Sequence, residues 1–222
     1  MDAPAQTPPH LIDLGDDGLP GLALRRFAGE ADLPELLRVV EESLEHLRPW
    51  MPWVAEHCPA LTAEFLAGRD ERWASGAAFS YAIVLDGAIV GACDLFRPED
   101  SDDGASNSEG EHAGAGDGED ADEDAGADAD TGGAAAGREI GYWLHPAATG
   151  RGVATRAVRA LVAVAFRLPG VEHVDIVHDP ANLASGAVPA RLGFTEHLRR
   201  PAEVLAPAET GEEVVWRLTR RQ

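Results

Sequence analysis

The sequence predicts an α/β chain built on a mixed sheet, not an alternating doubly wound one. Three observations carry this reading. Apolar residues recur at helical spacing in two long stretches, 32–47 and 152–166. Short β-branched or aromatic runs lie between and after them. Two of those runs are joined by the dipeptide Asp86-Gly87, a two-residue hairpin turn, so they must be antiparallel, whereas other runs are separated by a helix. The resulting order is strand, two helices, a hairpin and a strand, then helix, strand, helix and two strands.

Each element has its own signal. Residues 1–20 are rich in Pro and Gly and are expected to be loose. Leu22 to Phe27 reads as the first strand. Asp32 is a favourable N-cap, and Leu33, Leu36, Leu37, Val40, Leu44 and Leu47 follow on one face. That helix should stop before Pro49, because the residue preceding a proline disfavours the helical region. Leu61 to Trp73 suits a second helix capped by Thr62. Phe79 to Leu85 and Ala88 to Phe96 are the hairpin strands. Glu139 to Leu144 is a strand ended by His145-Pro146, and a glycine-containing loop leads into a helix from about Gly152 to Phe166. His173 to Val177 reads as a short buried strand, 183–191 as a short helix closed by Leu192-Gly193, and Phe194 to Leu198 with Val214 to Leu218 as the last strands. Gly186 and Pro189 fall inside the short helix. An interior proline costs about 3 kcal/mol, so this helix is expected to start late or to be distorted.

Composition narrows the function. With 222 residues, 45% of them hydrophobic, the chain can bury one sizeable core. No apolar run reaches the length of a membrane span, and the first residues lack the basic and apolar regions of a signal peptide, so a cytoplasmic protein is expected. Cys58 and Cys93 cannot form a disulfide scaffold, and no His/Cys spacing fits zinc, so no metal is expected. All 18 basic residues are Arg, which removes Schiff-base chemistry on a lysine. The net charge of −21 argues against nucleic acid as a partner.

Most of that charge sits in one block. Residues 98–137 hold 14 acids and no Arg, with nothing apolar larger than Ala except Pro98. Such a segment buries too little surface to offset its ordering entropy and is expected to be a disordered insertion. The remaining 25 acids against 18 Arg leave an ordinary −7. A solvated spacer is the simplest role for the block; a tether, a decoy for basic partners or a weak cation binder are the alternatives. One domain, 21–222, interrupted at 98–137, is therefore expected after the loose segment 1–20.

The informative segment is Thr149-Gly150-Arg151-Gly152-Val153-Ala154-Thr155, between a strand and a helix. Its glycines allow a tight bend and close approach to a ligand. The helix N-terminus offers unpaired N–H groups and the positive dipole end, which suits a pyrophosphate. No Lys follows as in a Walker A loop, and Thr155 stands where a Rossmann fingerprint has its third glycine.

Gly141-Tyr142-Trp143-Leu144-His145-Pro146 followed by Gly150-Arg151-Gly152-Val153-Ala154-Thr155 resembles motif A of the GCN5-related N-acetyltransferase (GNAT) superfamily, and is similar in particular to its RimJ/RimL-type ribosomal-protein N-acetyltransferases. Asn182-Leu183-Ala184-Ser185, Val188 and Leu192-Gly193-Phe194 resemble that group's second motif. Leu47-Arg48-Pro49-Trp50-Met51-Pro52-Trp53, with His46, resembles its upstream Trp-containing segment. The resemblance spans about Leu22 to Leu218 apart from the acidic block.

The resemblance implies a GNAT fold, a mixed and mostly antiparallel sheet of about six or seven strands flanked by about four helices, with acetyl-CoA as acyl donor. The strand around Trp143, Leu144 and His145 would pair with the pantetheine arm, and the N–H groups of Gly150, Arg151, Gly152, Val153, Ala154 and Thr155 would hold the pyrophosphate. Asn182 and Ser185 would sit near the thiol. Direct transfer to an amine needs a polarised carbonyl, a base and a proton for the departing thiolate. An N–H near Leu144 or His145 would polarise the carbonyl. The resemblance offers Ser185 as the acid, Glu203 as the base with Glu196 behind it, and Trp50 and Trp53 as acceptor-pocket residues. His145 and His178 are further possible bases, although a turn-capping role suits His145. The acceptor would be a protein N-terminal α-amine or a small-molecule amine, basic partners being suited to an acidic mouth; no membrane partner and no particular oligomer is implied. A non-catalytic acyl-CoA-binding or protein-interaction module with an acidic arm is the alternative.

Overall fold

The computed structural model describes residues 7–98 and 136–221. Nearly all of the acidic block, 99–135, lies outside the described residues. Among the described residues the strands are β1 (Leu11–Asp13), β2 (Leu22–Arg26), β3 (Ala78–Leu85), β4 (Ala88–Phe96), β5 (Ala136–Leu144), β6 (Val171–His178), β7 (Thr195–Pro201) and β8 (Glu212–Thr219). They form one sheet in the order β1-β2-β3-β4-β5-β6-β8-β7. Every pairing is antiparallel except β5 with β6.

The sheet has one strand more than the upper expectation, and the addition is β1. Residues 7–20 carry no period-2 apolar run long enough to announce it; three residues pair Leu11 to Asp13 with Arg25 to Ala23 and leave Leu11 exposed. The Asp86-Gly87 turn is as read: both residues have positive φ, 52° and 83°, as a type I′ hairpin requires.

Five α-helices are present among the described residues: α1 (Leu33–Leu47), α2 (Pro59–Ala67), α3 (Arg69–Ser75), α4 (Val153–Ala165) and α5 (Leu183–Leu192). The single helix expected over Leu61 to Trp73 is two, separated at Gly68, and it starts earlier, with Pro59 in the first turn after Cys58. Pro at that position needs no donor, so it outranks Thr62, which lies inside α2. Asp32 precedes α1, but its carboxylate makes no cap. It accepts two bonds from Arg25, at 2.8 and 2.9 Å, and one from the Ala28 N–H, tying the helix start to β2. Burial opposes ionisation there, but these bonds outweigh it and hold the Asp32 carboxyl below its usual range.

Two apolar layers sandwich the sheet. On one face α4 lays Val153, Ala157, Val158, Leu161, Val164 and Ala165 against Ile140, Leu144, Val174 and Ile176. On the other, Leu36, Val39 and Val40 of α1 and Leu66 of α2 cover Ala82, Ile89 and Ala92. Leu161 has no exposed surface, and full burial of such a side chain is worth about 1.5–3 kcal/mol. At Gly91, φ +156°, β4 lies so close to β5 that a Cβ would collide with the Trp143 carbonyl oxygen.

Candidate active site

The one parallel pairing opens a wedge. β5 and β6 are in register only from Ala136 to Glu139, although β5 continues to Leu144 and β6 to His178; the other edge of β6 pairs with β8 throughout His173 to His178. Beyond Glu139 the β6-facing edge of β5 has no strand beside it. The His145 N–H donates to Val90 O at 2.8 Å. In an antiparallel ladder the residues whose amides face the partner alternate, so Trp143, Gly141 and Glu139 also turn their backbone toward β4; the Ile140 N–H is taken by the last bridge to β6, and the amides of Tyr142 and Leu144 turn into the wedge. Of the strand residues expected to pair with a ligand, Leu144 therefore presents its backbone to the wedge. Trp143 and His145 do not: their amides are engaged in the β4 ladder.

The wedge leads to the glycine loop. Gly150 and Gly152 have φ of 70° and 76°, a left-handed conformation in which a side chain is strained. The Thr149 N–H donates to Pro146 O, and the next backbone N–H with a partner is that of Arg156, on Gly152 O at 3.2 Å. The N–H groups of Gly150, Arg151, Gly152, Val153, Ala154 and Thr155 donate to nothing among the described residues. Six successive free donors at the start of a 13-residue helix form an anion cradle. The Arg156 guanidinium folds back onto Gly152 O at 3.2 Å, and Arg151 is exposed beside it, adding positive charge.

α5 borders the wedge from the β6 side. Asn182 caps it, its side-chain oxygen accepting from the Ser185 N–H at 3.1 Å. Against expectation the helix starts at once and passes through Pro189. The proline removes the donor that would have satisfied Ser185 O one turn earlier. The Tyr142 hydroxyl replaces it, donating to Ser185 O at 3.0 Å, and lies 3.3 Å from Ser185 Oγ. Burial pushes the Tyr142 phenol up to about 12 against the opposing hydrogen bond from Ser185. Gly186 also has a packing reason: a Cβ there would come within 2.7 Å of the His178 ring. That ring is fully engaged, with Nδ1 on Asp179 O at 2.7 Å and Nε2 receiving the Trp216 indole N–H at 2.9 Å. His178 is thus a packing residue with no lone pair left for a substrate.

The opposite face of the sheet, and the loop beside it, carry most of the remaining candidates. Side-chain alternation along β5 puts Glu139, Gly141 and Trp143 on the α1 face, since Ile140 and Leu144 are in the α4-side core. Trp143 meets Trp53 there, with ring centroids 6.1 Å apart. Trp50 is half-buried nearby in sequence. The loop joining β7 to β8 touches this segment through Ala208 N–H on Pro49 O at 3.0 Å. Glu203 belongs to that loop, is exposed, and makes no bond among the described residues. Glu196 is exposed on β7 and held by Arg199 at 2.7 Å, which lowers its carboxyl pKa. His145 caps the turn Pro146–Ala148, accepting the Ala147 N–H on Nδ1 at 3.2 Å while Nε2 faces Glu42 at 3.3 Å. Its ring links the start of the loop to α1.

Glu139, expected only as the start of a strand, stands where the wedge opens. Its neighbours are paired: Asp175 with Arg217 at 2.6 and 2.8 Å, and Glu213 with Arg200 at 2.8 Å. Glu139 makes no ion pair among the described residues. Burial, and after it the charges of Asp175 and Glu213, push its carboxyl up to about 7 despite Arg200. His173 lies 3.8 Å from Asp175 on the same strand, β6; burial lowers its pKa. Among the described residues no group of three His, Cys, Asp or Glu could hold a metal ion.

Comparison with known proteins identifies the family and the fold. The family model described as the acetyltransferase (GNAT) domain matches residues 22–195. A Bacillus subtilis (strain 168) protein, "Putative ribosomal N-acetyltransferase YdaF", is 41% identical over 58 residues, 26% of this chain and 32% of that protein, so the chain matches about a third of that relative's length. Among solved structures, the RimL ribosomal L7/L12 alpha-N-protein acetyltransferase in complex with coenzyme A superposes with a TM-score of 0.68 at 18% identity, over 90% of this chain and 94% of that one. The microcin C7 self-immunity acetyltransferase MccE, in complex with acetyl-CoA and AMP, gives 0.71 at 15% identity over 96% and 98%. At these identities the two structures speak for the fold.

Proposed function

Because the chain belongs to the acetyltransferase (GNAT) domain family, we propose that it transfers an acetyl group from acetyl-CoA directly to an amine. One observation supports this above the rest: an unpaired strand edge at Tyr142 and Leu144 runs into six successive free N–H donors at 150–155. The two halves fit the two parts of the donor. A peptide-like pantetheine arm can complete the ladder on Tyr142 and Leu144, and a pyrophosphate takes the N–H cradle with Arg151 and Arg156. Bound there, the donor supplies an activated acyl thioester.

The residues of this chain then divide the work. Of the wedge-facing N–H groups, that of Leu144 can hold the arm and that of Tyr142, nearer Glu139, is free to polarise the thioester carbonyl; the His145 N–H, held by Val90, does neither. Glu139, with a carboxyl near 7, is the base that takes the amine proton; Glu203, at the acceptor-side loop, is the second candidate. Ser185 donates a proton toward the departing sulfur. Trp53 and Trp143 wall the acceptor side, with Trp50 on the same segment. The similarity to YdaF and to RimL favours a protein N-terminal α-amine as acceptor. The Glu139 carboxyl, whose neighbours Asp175 and Glu213 are held by Arg217 and Arg200, suits a cationic amine, and a cytoplasmic setting suits both reactants.

Calorimetric titration of acetyl-CoA into the protein tests the reading, followed by coenzyme A release with a peptide bearing a free N-terminal serine and with spermidine. Micromolar binding and release with the peptide are expected. Release with spermidine alone moves the acceptor to small amines. Binding without release on either leaves a non-catalytic acyl-CoA-binding module, and no binding removes the activity altogether.

A further inference from the structure

We propose that Tyr142 is a positioning residue that fixes the Ser185 hydroxyl beside the wedge, and that Pro189 is what makes the contact possible. The inference rests on the acetyl-transfer reading. In an α-helix the carbonyl of residue i accepts the N–H of residue i+4. For Ser185 that residue is Pro189, which has no N–H and whose ring crowds the same carbonyl. Ser185 O, in the first turn of a ten-residue helix, is left without its i+4 donor.

Tyr142 supplies what is missing. Its hydroxyl donates to Ser185 O at 3.0 Å. A phenol has one proton; having given it to the carbonyl, the oxygen turns its lone pairs toward Ser185 Oγ at 3.3 Å, and the serine O–H points back at it across a contact long enough for the hydroxyl to turn toward a departing sulfur. The phenol remains protonated at any ordinary pH because burial pushes it up to about 12. Every polar atom of Ser185 then has an assigned partner, since Asn182 holds its N–H at 3.1 Å. The serine is thereby tied to β5, the strand whose open edge would receive the donor's arm.

Two functions of Tyr142 can be separated. Satisfying the carbonyl is structural, and an N–H at position 189 can replace it. Orienting Oγ is specific to the phenol oxygen, and nothing at position 189 can replace it. The test is a cycle of Tyr142→Phe, Pro189→Ala and the double variant, read by thermal unfolding, by calorimetric acetyl-CoA binding and by coenzyme A release with the N-terminal-serine peptide and spermidine. Tyr142→Phe alone should lower Tm by about 4–8 °C, the cost of stranding a carbonyl, and kcat by about tenfold, with acetyl-CoA affinity within about twofold. In the Pro189→Ala background the same change should cost under about 2 °C and still lower kcat by about tenfold. An equal Tm loss in both backgrounds overturns the pairing of Tyr142 with Pro189. A kcat unchanged in Tyr142→Phe, or restored in the double variant, overturns the positioning role and leaves a structural contact. A wild type that neither binds acetyl-CoA nor releases coenzyme A overturns the reading of function, and the positioning role with it; the Tm cycle then still reports on the contact.

Discussion

Replacing Glu139 with Gln should make the protein more stable at alkaline pH and leave it nearly unchanged in acid. In the folded chain, burial and the neighbouring Asp175 and Glu213 raise the carboxyl from 4.5 to about 7, Arg200 opposing them. Between those two values the folded chain holds a proton that the unfolded chain has released. Stability is therefore complete below 4.5, falls as pH rises through that window, and is lowest above about 7. At about 1.36 kcal/mol per pH unit, the window is worth about 3 kcal/mol. Glutamine keeps the shape and removes the titration. Urea unfolding of wild type and E139Q at pH 5 and pH 8 reads the difference. The two proteins should agree within about 1 kcal/mol at pH 5, and the variant should be more stable by about 2–3 kcal/mol at pH 8. Asp94 is also buried and raised, but it is common to both proteins and cancels. The same E139Q advantage at both pH values would refute the reasoning, because the effect would then be packing and not charge. The cost at neutral pH is what a base near 7 requires, so the variant should also flatten the rise of kcat/KM between pH 6 and 8.

Three further outcomes follow from the geometry. Ser185→Ala should lower kcat about tenfold to a hundredfold while leaving acetyl-CoA affinity unchanged, as steady-state kinetics with calorimetry would read; an unchanged kcat would remove the serine from the proton path. Arg151→Glu places a like charge at the N–H cradle and should weaken acetyl-CoA binding about tenfold at low salt and less at high salt, which titrations at two ionic strengths can distinguish. Gly186→Ala drives a methyl to 2.7 Å from the His178 ring and should destabilise the fold by about 1–3 kcal/mol in urea unfolding; an unperturbed midpoint would show that the ring gives way freely.

Much of the molecule was legible locally. Helix α4 is written by its stripe of Val158, Leu161 and Ala165 and by the left-handed Gly152 before it. The β3-β4 hairpin is written by Asp86-Gly87, and α5 by Asn182 at its start and Gly193, at φ +80, at its end. These signals act within a few residues. β1 was not legible, because three residues gain their pairing from β2 and not from their own pattern. The division of Leu61 to Trp73 was missed because Pro59 and Gly68 set the boundaries while the apolar spacing runs across both.

Sequence by itself determined the family motifs, the glycine loop and the residue types able to perform the chemistry, because backbone freedom at Gly150 and Gly152 and donor geometry at a helix start are local properties. Only the tertiary structure decided which of those residues face a common space. It turned Leu144, and not Trp143 or His145, toward the wedge, because Val90 takes the His145 amide. It closed both nitrogens of His178, and left Glu203 and Glu196 exposed. It made Glu139 a carboxyl near 7 by placing Asp175 and Glu213, distant in sequence, beside it in a buried site. And it turned Pro189, a helix breaker by local rules, into the reason that Tyr142 holds Ser185, since the donor that a proline lacks was supplied from a strand 43 residues away.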